Sequence, residues 1–123
     1  MALYVELVSP ERSIWSGEAS RVITRTIEGD IGVLPGHAPL LAVLSNGLVR
    51  IVADNGPEVR AVVLGGFLSV ADDRVSILAE WSQPADEVDL ATAQSELRDA
   101  EQSGDADAAD RARALIAAAS GAA

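Results

Sequence analysis

The chain has 123 residues, and 19 acidic against 9 basic side chains give it a formal charge of −10. All nine basic residues are arginine and cysteine is absent, which excludes lysine-based catalysis, disulfides and cysteine-ligated zinc. The acidity argues against nucleic acid and membrane lipid as ligands, because both require clustered cations. A single histidine cannot form a multi-histidine metal site, so we expect neither a metal centre nor enzymatic activity.

The first 84 residues predict an antiparallel β-sandwich. Six segments have the alternating or β-branched character of short strands: 3–7, 22–27, 47–52, 59–64, 67–70 and 75–79. Turn-forming residues separate these segments at intervals of roughly 8 to 12 residues, which is typical of sandwiches and barrels. Turns are predicted at 16–17, 28–30 and 35–36, among others.

Residues 85–123 predict a second domain, an αα-hairpin. This part contains 14 alanines and no aromatic residue, a composition that favours helix. We expect the first helix to begin at Asp86 or Glu87 and to stop at 103–105. Asp105 or Asp107 is expected to cap a second helix that ends near Ala119.

The hairpin is expected to be held only weakly against the sandwich. Isolated helices shorter than about 12 to 15 residues are marginal in water, so tertiary packing must hold them. Residues 85–123 contain only five large aliphatic side chains, and they carry nine acids against three arginines. The same count for residues 1–84 is ten acids against six arginines, so the two parts repel each other mildly.

The most distinctive segment is residues 28–41, which reads Glu-Gly-Asp-Ile-Gly-Val-Leu-Pro-Gly-His-Ala-Pro-Leu-Leu. Together with Gly-Gly-Phe-Leu-Ser-Val at 65–70, this segment resembles the ε subunit of the bacterial F-type ATP synthase. The resemblance covers the whole chain and is strongest through residue 84. It implies a non-catalytic rotor subunit of the central stalk, which couples c-ring rotation to the γ subunit during ATP synthesis. The hairpin would then modulate ATP hydrolysis.

The resemblance also implies two interfaces. Asp30, with Glu28, corresponds to the acidic position that faces the polar loops of the c-ring. His37, with Pro35 and Gly36, corresponds to the contact with γ. Read from the residues alone, Asp30 is an exposed turn residue, and the Pro-Gly pair suits the centre of a type II turn.

The wider setting follows from the same resemblance. We expect the hairpin to contact the α and β catalytic subunits transiently. The chain is expected at the cytoplasmic face of the plasma membrane, where the complex holds it without direct insertion into the bilayer.

Some members of the family bind ATP at the hairpin through an Ile or Leu, Asp, two variable residues, Arg, Ala pattern. The matching residues here run from Val88 and Asp89 to Ala93, with Thr92 in place of the arginine. Loss of that guanidinium removes a bidentate partner for phosphate. Arg98, Arg111 and Arg113 are the remaining candidate phosphate ligands, although Arg111 can instead pair with Asp107, and Arg113 with Asp110, on the helix surface. We therefore expect no required cofactor and at most weak regulatory ATP binding.

One alternative belongs to another functional class. A stand-alone β-sandwich that binds a ligand and dimerises through its hairpin would explain the two halves of the chain. It would not explain the Gly-x-Leu-Pro-Gly-His segment. Stable association with γ distinguishes the two hypotheses.

Overall fold

The computed structural model describes residues 2–120, so Met1 and residues 121–123, at the outer ends of the two predicted domains, lie outside it. Its strands are β1 (Leu3–Val8), β2 (Ser13–Thr26), β3 (Gly29–Val33), β4 (Leu40–Leu44), β5 (Gly47–Ala53), β6 (Val59–Ala71) and β7 (Arg74–Pro84). A 3-10 turn at Ala85–Glu87 leads to α1 (Leu90–Ser103) and α2 (Ala106–Ala119). The predicted fold class, a β-sandwich followed by an αα-hairpin, is confirmed.

The sandwich closes on itself through strand pairing. β1 pairs with both β2 and β7, and β6 connects β7 to β5, which pairs back to β2. All of these pairs are antiparallel except β1 with β7, which is parallel. The enclosed core is aliphatic, and its largest fully buried side chains include Leu3, Leu7, Ile51, Leu68 and Ile77. Closure leaves β3 at the end of the strand order, paired only with β2.

Two segments predicted as separate strands form the single strand β6. Gly65 and Gly66 have φ of +73° and +125°, yet the register with β7 continues from Ala61 opposite Pro84 to Ala71 opposite Arg74. On its other side β6 pairs first with β5 and then with β4. The two glycines therefore mark a bend inside one long strand.

Two predicted turns are wrong. β2 continues through Ser16 and Gly17, where its first half pairs with β1. The turn expected at 28–30 lies at 27–28, and Asp30 belongs to β3 opposite Arg25. In both places the hydrogen-bonded ladder to a neighbouring strand outweighs the local turn preference of Ser, Gly and Asp.

Both helices begin at an aspartate cap. Asp89 accepts a hydrogen bond from the Thr92 amide at 3.2 Å, and Asp105 accepts one from the Ala108 amide at 3.1 Å. The expected start of α1 at Asp86 or Glu87 is wrong, because those residues form the 3-10 turn. The stop at Gly104, which has φ of +72°, agrees with expectation, as do the Asp105 cap and the end at Ala119.

The cap of α1 provides a first test. Replacement of Asp89 by alanine should destabilise the hairpin by about 1 kcal/mol, because the Thr92 amide loses its acceptor. Hydrogen exchange of the first-turn amides of α1 measures this change. Asp89→Asn keeps an acceptor oxygen and should behave like the native chain. Equal exchange in both variants would contradict the capping role.

The hairpin lies folded against the sandwich, with α2 on β5 and β6. Val62 of β6 is completely buried but does not belong to the sandwich core, whereas its neighbours Ala61 and Val63 do. Because side chains alternate along a strand, Val62 faces outward, toward α2. The buried residues of α2 are all alanines, which permit close approach: Ala109, Ala112 and Ala118. Neither helix within residues 2–120 has the length and apolar character to cross a membrane.

Candidate functional site

The three residues expected to contact γ share one tight turn between β3 and β4. The His37 amide donates to the Leu34 carbonyl at 3.1 Å, and Gly36 has φ of +86°, as a type II turn with Pro35 and Gly36 at its centre requires. The Gly36 amide also donates to Asp73 Oδ1 at 2.7 Å. Asp73 lies in the β6–β7 connection, so this turn is fastened to the rest of the sandwich.

The imidazole of His37 is oriented by the backbone of the next residue, Ala38. Its Nδ1 donates to the carbonyl of Ala38 at 2.7 Å. A carbonyl can only accept, so Nδ1 carries a proton and Nε2 is the acceptor of the neutral ring. The half-buried ring therefore offers one defined nitrogen to a partner.

The two acids expected to face the c-ring lie at the opposite end of β3. Arg25 Nε donates to Asp30 Oδ1 at 3.2 Å, and the side chains are 53% and 69% exposed. An ion pair this exposed contributes only about 0 to 1 kcal/mol, so a cation from a partner can replace Arg25. Glu28 is exposed in the adjacent turn, where its amide binds the hydroxyl of Thr26 at 3.1 Å.

An exposed apolar surface on β4, β6 and β7 was not predicted. Val43 lies opposite Phe67, and Phe67 lies opposite Leu78, so the three form one row across the sheet. Leu41 lies two residues before Val43 on the same face of β4. The exposed fractions of Leu41, Val43, Phe67 and Leu78 are 75%, 43%, 52% and 50%. We call these four residues the outer apolar face.

The outer apolar face adjoins the turn at 34–37. β4 begins three residues after His37, and Leu40 pairs with Val70 close to the β6–β7 connection that holds Gly36. Soluble monomers rarely expose a contiguous apolar patch of this kind, so it marks an interaction surface. The unbroken apolar run at 40–44 could have predicted this surface from the sequence. A strand that is apolar at every position is typically covered on both faces, and here one of those faces is exposed.

The structure brings together only some of the residues that were predicted to bind nucleotide. A cleft of about 900 Å³ between the hairpin and the sandwich is lined by Val88, Asp89 and Ala93. Arg98 and Arg113 do not line it, and Arg113 lies 3.9 Å from the carboxylate of Glu101. Arg111, the third arginine expected to approach an anion, does line the cleft.

A bidentate ion pair lies on β5 and the loop that follows it. Arg50 Nε and Nη2 donate to the two carboxylate oxygens of Glu58 at 2.5 and 3.3 Å. The hydrogen bond from Arg50 lowers the pKa of Glu58 below its usual value, and the charges of Arg60 and Arg21 act in the same direction. The pair links β5 to the last residue of the β5–β6 connection.

This pair predicts a small pH effect. Because the pKa of Glu58 is lower in the folded chain, its stabilisation is present above the unfolded-state pKa and is lost as pH falls through the folded-state pKa. Glu58→Gln should therefore lower the urea midpoint slightly at neutral pH and make it less sensitive to acid. Glu11→Gln is the control, since Glu11 is exposed and forms no salt bridge with the other residues between 2 and 120. The same acid dependence in both variants would contradict this prediction.

Comparison with known proteins gives consistent results. The family described as "ATP synthase, Delta/Epsilon chain, beta-sandwich domain" matches residues 2–85. The ATP synthase epsilon chain of Streptomyces avermitilis is 53% identical over 110 residues, which cover 89% of each chain. That of Corynebacterium diphtheriae is 55% identical over 95 residues, covering 76% of this chain and 77% of the relative.

A solved structure shows the same fold. A chain in the cryo-EM structure of the Euglena gracilis mitochondrial ATP synthase, which contains OSCP, F1 and the c-ring, aligns with a TM-score of 0.73 at 28% identity. The alignment covers 94% of this chain and 75% of the other. The resemblance inferred from residues 28–41 and 65–70 is thereby confirmed, and the chain belongs to the ATP synthase epsilon chain family.

Proposed function

We propose that this chain is a non-catalytic subunit of the central stalk of a proton-translocating F-type ATP synthase, where it couples c-ring rotation to γ during ATP synthesis. The observation that carries the proposal is the outer apolar face. In a chain of this family, an exposed apolar surface beside an ordered turn is suited to a permanent partner.

The γ subunit is the partner that we assign to the outer apolar face. Full burial of a large apolar side chain contributes about 1.5 to 3 kcal/mol, so covering four half-exposed ones contributes roughly 3 to 7 kcal/mol. The turn with Pro35, Gly36 and His37 borders this surface and supplies polar contacts at its rim. Burial of the outer apolar face would provide the affinity for γ, and the polar contacts of the turn would fix the orientation of γ on this surface.

The c-ring is the partner that we assign to the other end of β3. Asp30 and Glu28 are exposed there, and the solvent-exposed Arg25 pairs with Asp30. A basic loop of the ring would displace Arg25 and form the same kind of pair. Exposed charge pairs contribute more to orientation and association rate than to affinity, which suits a second contact beside a larger apolar one.

The closed strand pairing suits transmission of torque, because load applied at one end passes through hydrogen-bonded ladders to the other. We further propose that the complex holds the chain at the cytoplasmic face of the plasma membrane. The hairpin, which forms a separate layer on β5 and β6, would contact the α and β subunits transiently.

Co-purification tests this function. We expect the full chain, co-expressed with γ and the c-ring, to remain bound to γ through gel filtration and to be retained on the ring only when γ is present. A monodisperse homodimer that is indifferent to γ would overturn the proposal. That result would favour a stand-alone ligand-binding sandwich with a dimerising hairpin.

A further inference from the structure

The charge of the hairpin cleft is opposite to that of a nucleotide-binding site. Among residues 2–120, Arg111 is the one arginine that lines the cleft. The carboxylates that line it are Glu80, Glu87, Asp89, Glu96 and Asp99. A nucleoside triphosphate is a polyanion, and its entry would bring like charges together in a partly enclosed space. The lining therefore opposes the ligand that some members of the family bind.

The groups that could have bound phosphate are already used or lie elsewhere. The carboxylate of Asp89 caps α1 by accepting from the Thr92 amide, so that amide is not available to an anion. Thr92 also stands where those members have an arginine, and a hydroxyl cannot provide a bidentate guanidinium contact. Arg113 pairs with Glu101 outside the cleft.

The hairpin is nevertheless docked, and direct side-chain contacts join it to the sandwich. Asn46, between β4 and β5, donates from Nδ2 to Asp110 Oδ2 of α2 at 2.7 Å. Near the connection, Arg12 donates to Glu87 Oε1 at 3.1 Å, and Gln83 donates to the Glu87 carbonyl at 3.3 Å.

These contacts differ in expected strength. The Arg12–Glu87 pair is about half exposed on both sides, at 48% and 50%, and such surface pairs contribute little. The Asn46–Asp110 bond is also exposed, but it is short, its acceptor is charged, and it joins the sandwich to the helix that covers Val62. The bond from Asn46 to Asp110 is therefore a direct side-chain tie between α2 and the sandwich.

We infer that the hairpin cleft of this chain rejects nucleoside triphosphates, and that a nucleotide-independent latch from Asn46 to Asp110 holds the hairpin against the sandwich. The position of the hairpin would then respond to partners that compete for Asp110 or for the β5–β6 surface. This inference concerns the chain by itself and does not depend on its assembly with γ or the c-ring.

The nucleotide part is tested on the full chain with MgATP, using calorimetric titration and hydrogen exchange of the α2 amides. We expect no saturable heat and unchanged exchange at millimolar MgATP. The variant with both Glu96→Arg and Asp99→Arg should gain measurable MgATP binding, because it reverses the charge of the cleft. Saturable binding by the native chain would overturn the inference. No gain in the variant would show that charge is not the cause.

The latch part uses the same exchange measurement. Asp110→Ala should raise the exchange rate of the α2 amides about three- to tenfold, as loss of one hydrogen bond of ordinary net strength at an exposed site predicts. Asp110→Asn keeps an acceptor oxygen and should stay near the native rate. Asp107→Ala removes a charge from the same helix without touching Asn46 and serves as the control. The β6 amides report that the sandwich remains folded. Equal exchange in Asp110→Ala and Asp107→Ala would overturn the latch.

Discussion

Replacement of Phe67 by glutamate should weaken binding of γ at least about a hundredfold while the sandwich remains folded. Phe67 is 52% exposed and lies at the centre of the outer apolar face, between Val43 and Leu78. A carboxylate there would be buried without a partner when γ covers the surface, and such burial costs several kcal/mol. A loss of about 2.7 kcal/mol or more corresponds to about a hundredfold in the dissociation constant.

The measurement is a titration of the Phe67→Glu chain with purified γ, accompanied by thermal unfolding to confirm the fold. Leu90→Glu is the matched control, because Leu90 is also exposed, at 37%, but lies at the start of α1, away from the outer apolar face. We expect Leu90→Glu to bind γ like the native chain. Native affinity in Phe67→Glu would show that γ binds elsewhere and would remove the main support for the proposed interface.

Substitution of Gly66 by alanine should have the largest effect on stability. An added Cβ would lie 2.1 Å from the carbonyl oxygen of Leu78 and 2.9 Å from the Cα of Ala79, and the φ of +125° disfavours any side chain. Both clashes involve the backbone of β7, which pairs with β6 along its length and cannot withdraw. We expect a loss of about 3 kcal/mol or more, or failure to fold.

Urea unfolding monitored by circular dichroism measures this loss. Gly32→Ala is the control, because Gly32 is also in a strand but a Cβ added there would meet nothing within 4 Å, and no left-handed φ is required. Its stability should stay within about 0.5 kcal/mol of the native value. A similarly small change in Gly66→Ala would show that β6 and β7 can separate at this point.

The sequence predicted the local features of this fold well. The division between a β part and a helical part follows from two different hydrophobic periods, and each period is a property of neighbouring residues. The stop at Gly104 and the cap at Asp105 were also predictable, since a positive φ and an N-cap depend on only a few consecutive residues. The Pro35–Gly36 turn belongs to the same group.

The start of α1 shows the limit of local rules. The sequence placed the start at Asp86 or Glu87, because a negative charge is favourable at the N-terminal end of a helix dipole. In the structure Ala85–Glu87 forms a 3-10 turn, and Gln83 and Arg12 both bind Glu87. These contacts come from the sandwich, so only the folded chain could show that Asp89 caps the helix.

The candidate site divides in the same way. The residues assigned to the γ and c-ring interfaces were identified from the resemblance of segment 28–41 to the family, and their roles are proposals. The outer apolar face was missed because the alternating pattern was used only to find the residues that face the core. Phe67 alternates with the core residues Leu68 and Val70, so it lies on the opposite face of the strand. The pairing of Arg25 with Asp30 was missed because the predicted turn included Asp30, which the structure places in β3.

By itself, the amino-acid sequence determined the fold class, the acidic character, the turn at Pro35–Gly36 and the family. Only the tertiary structure decided the parallel β1–β7 pair, the unbroken β6, the docking of α2 over Val62 and the acidic lining of the hairpin cleft. The reason is the range of the interactions. Turns, caps and hydrophobic periods involve residues a few positions apart, whereas strand order and the charge of a cleft depend on segments brought together from distant parts of the chain.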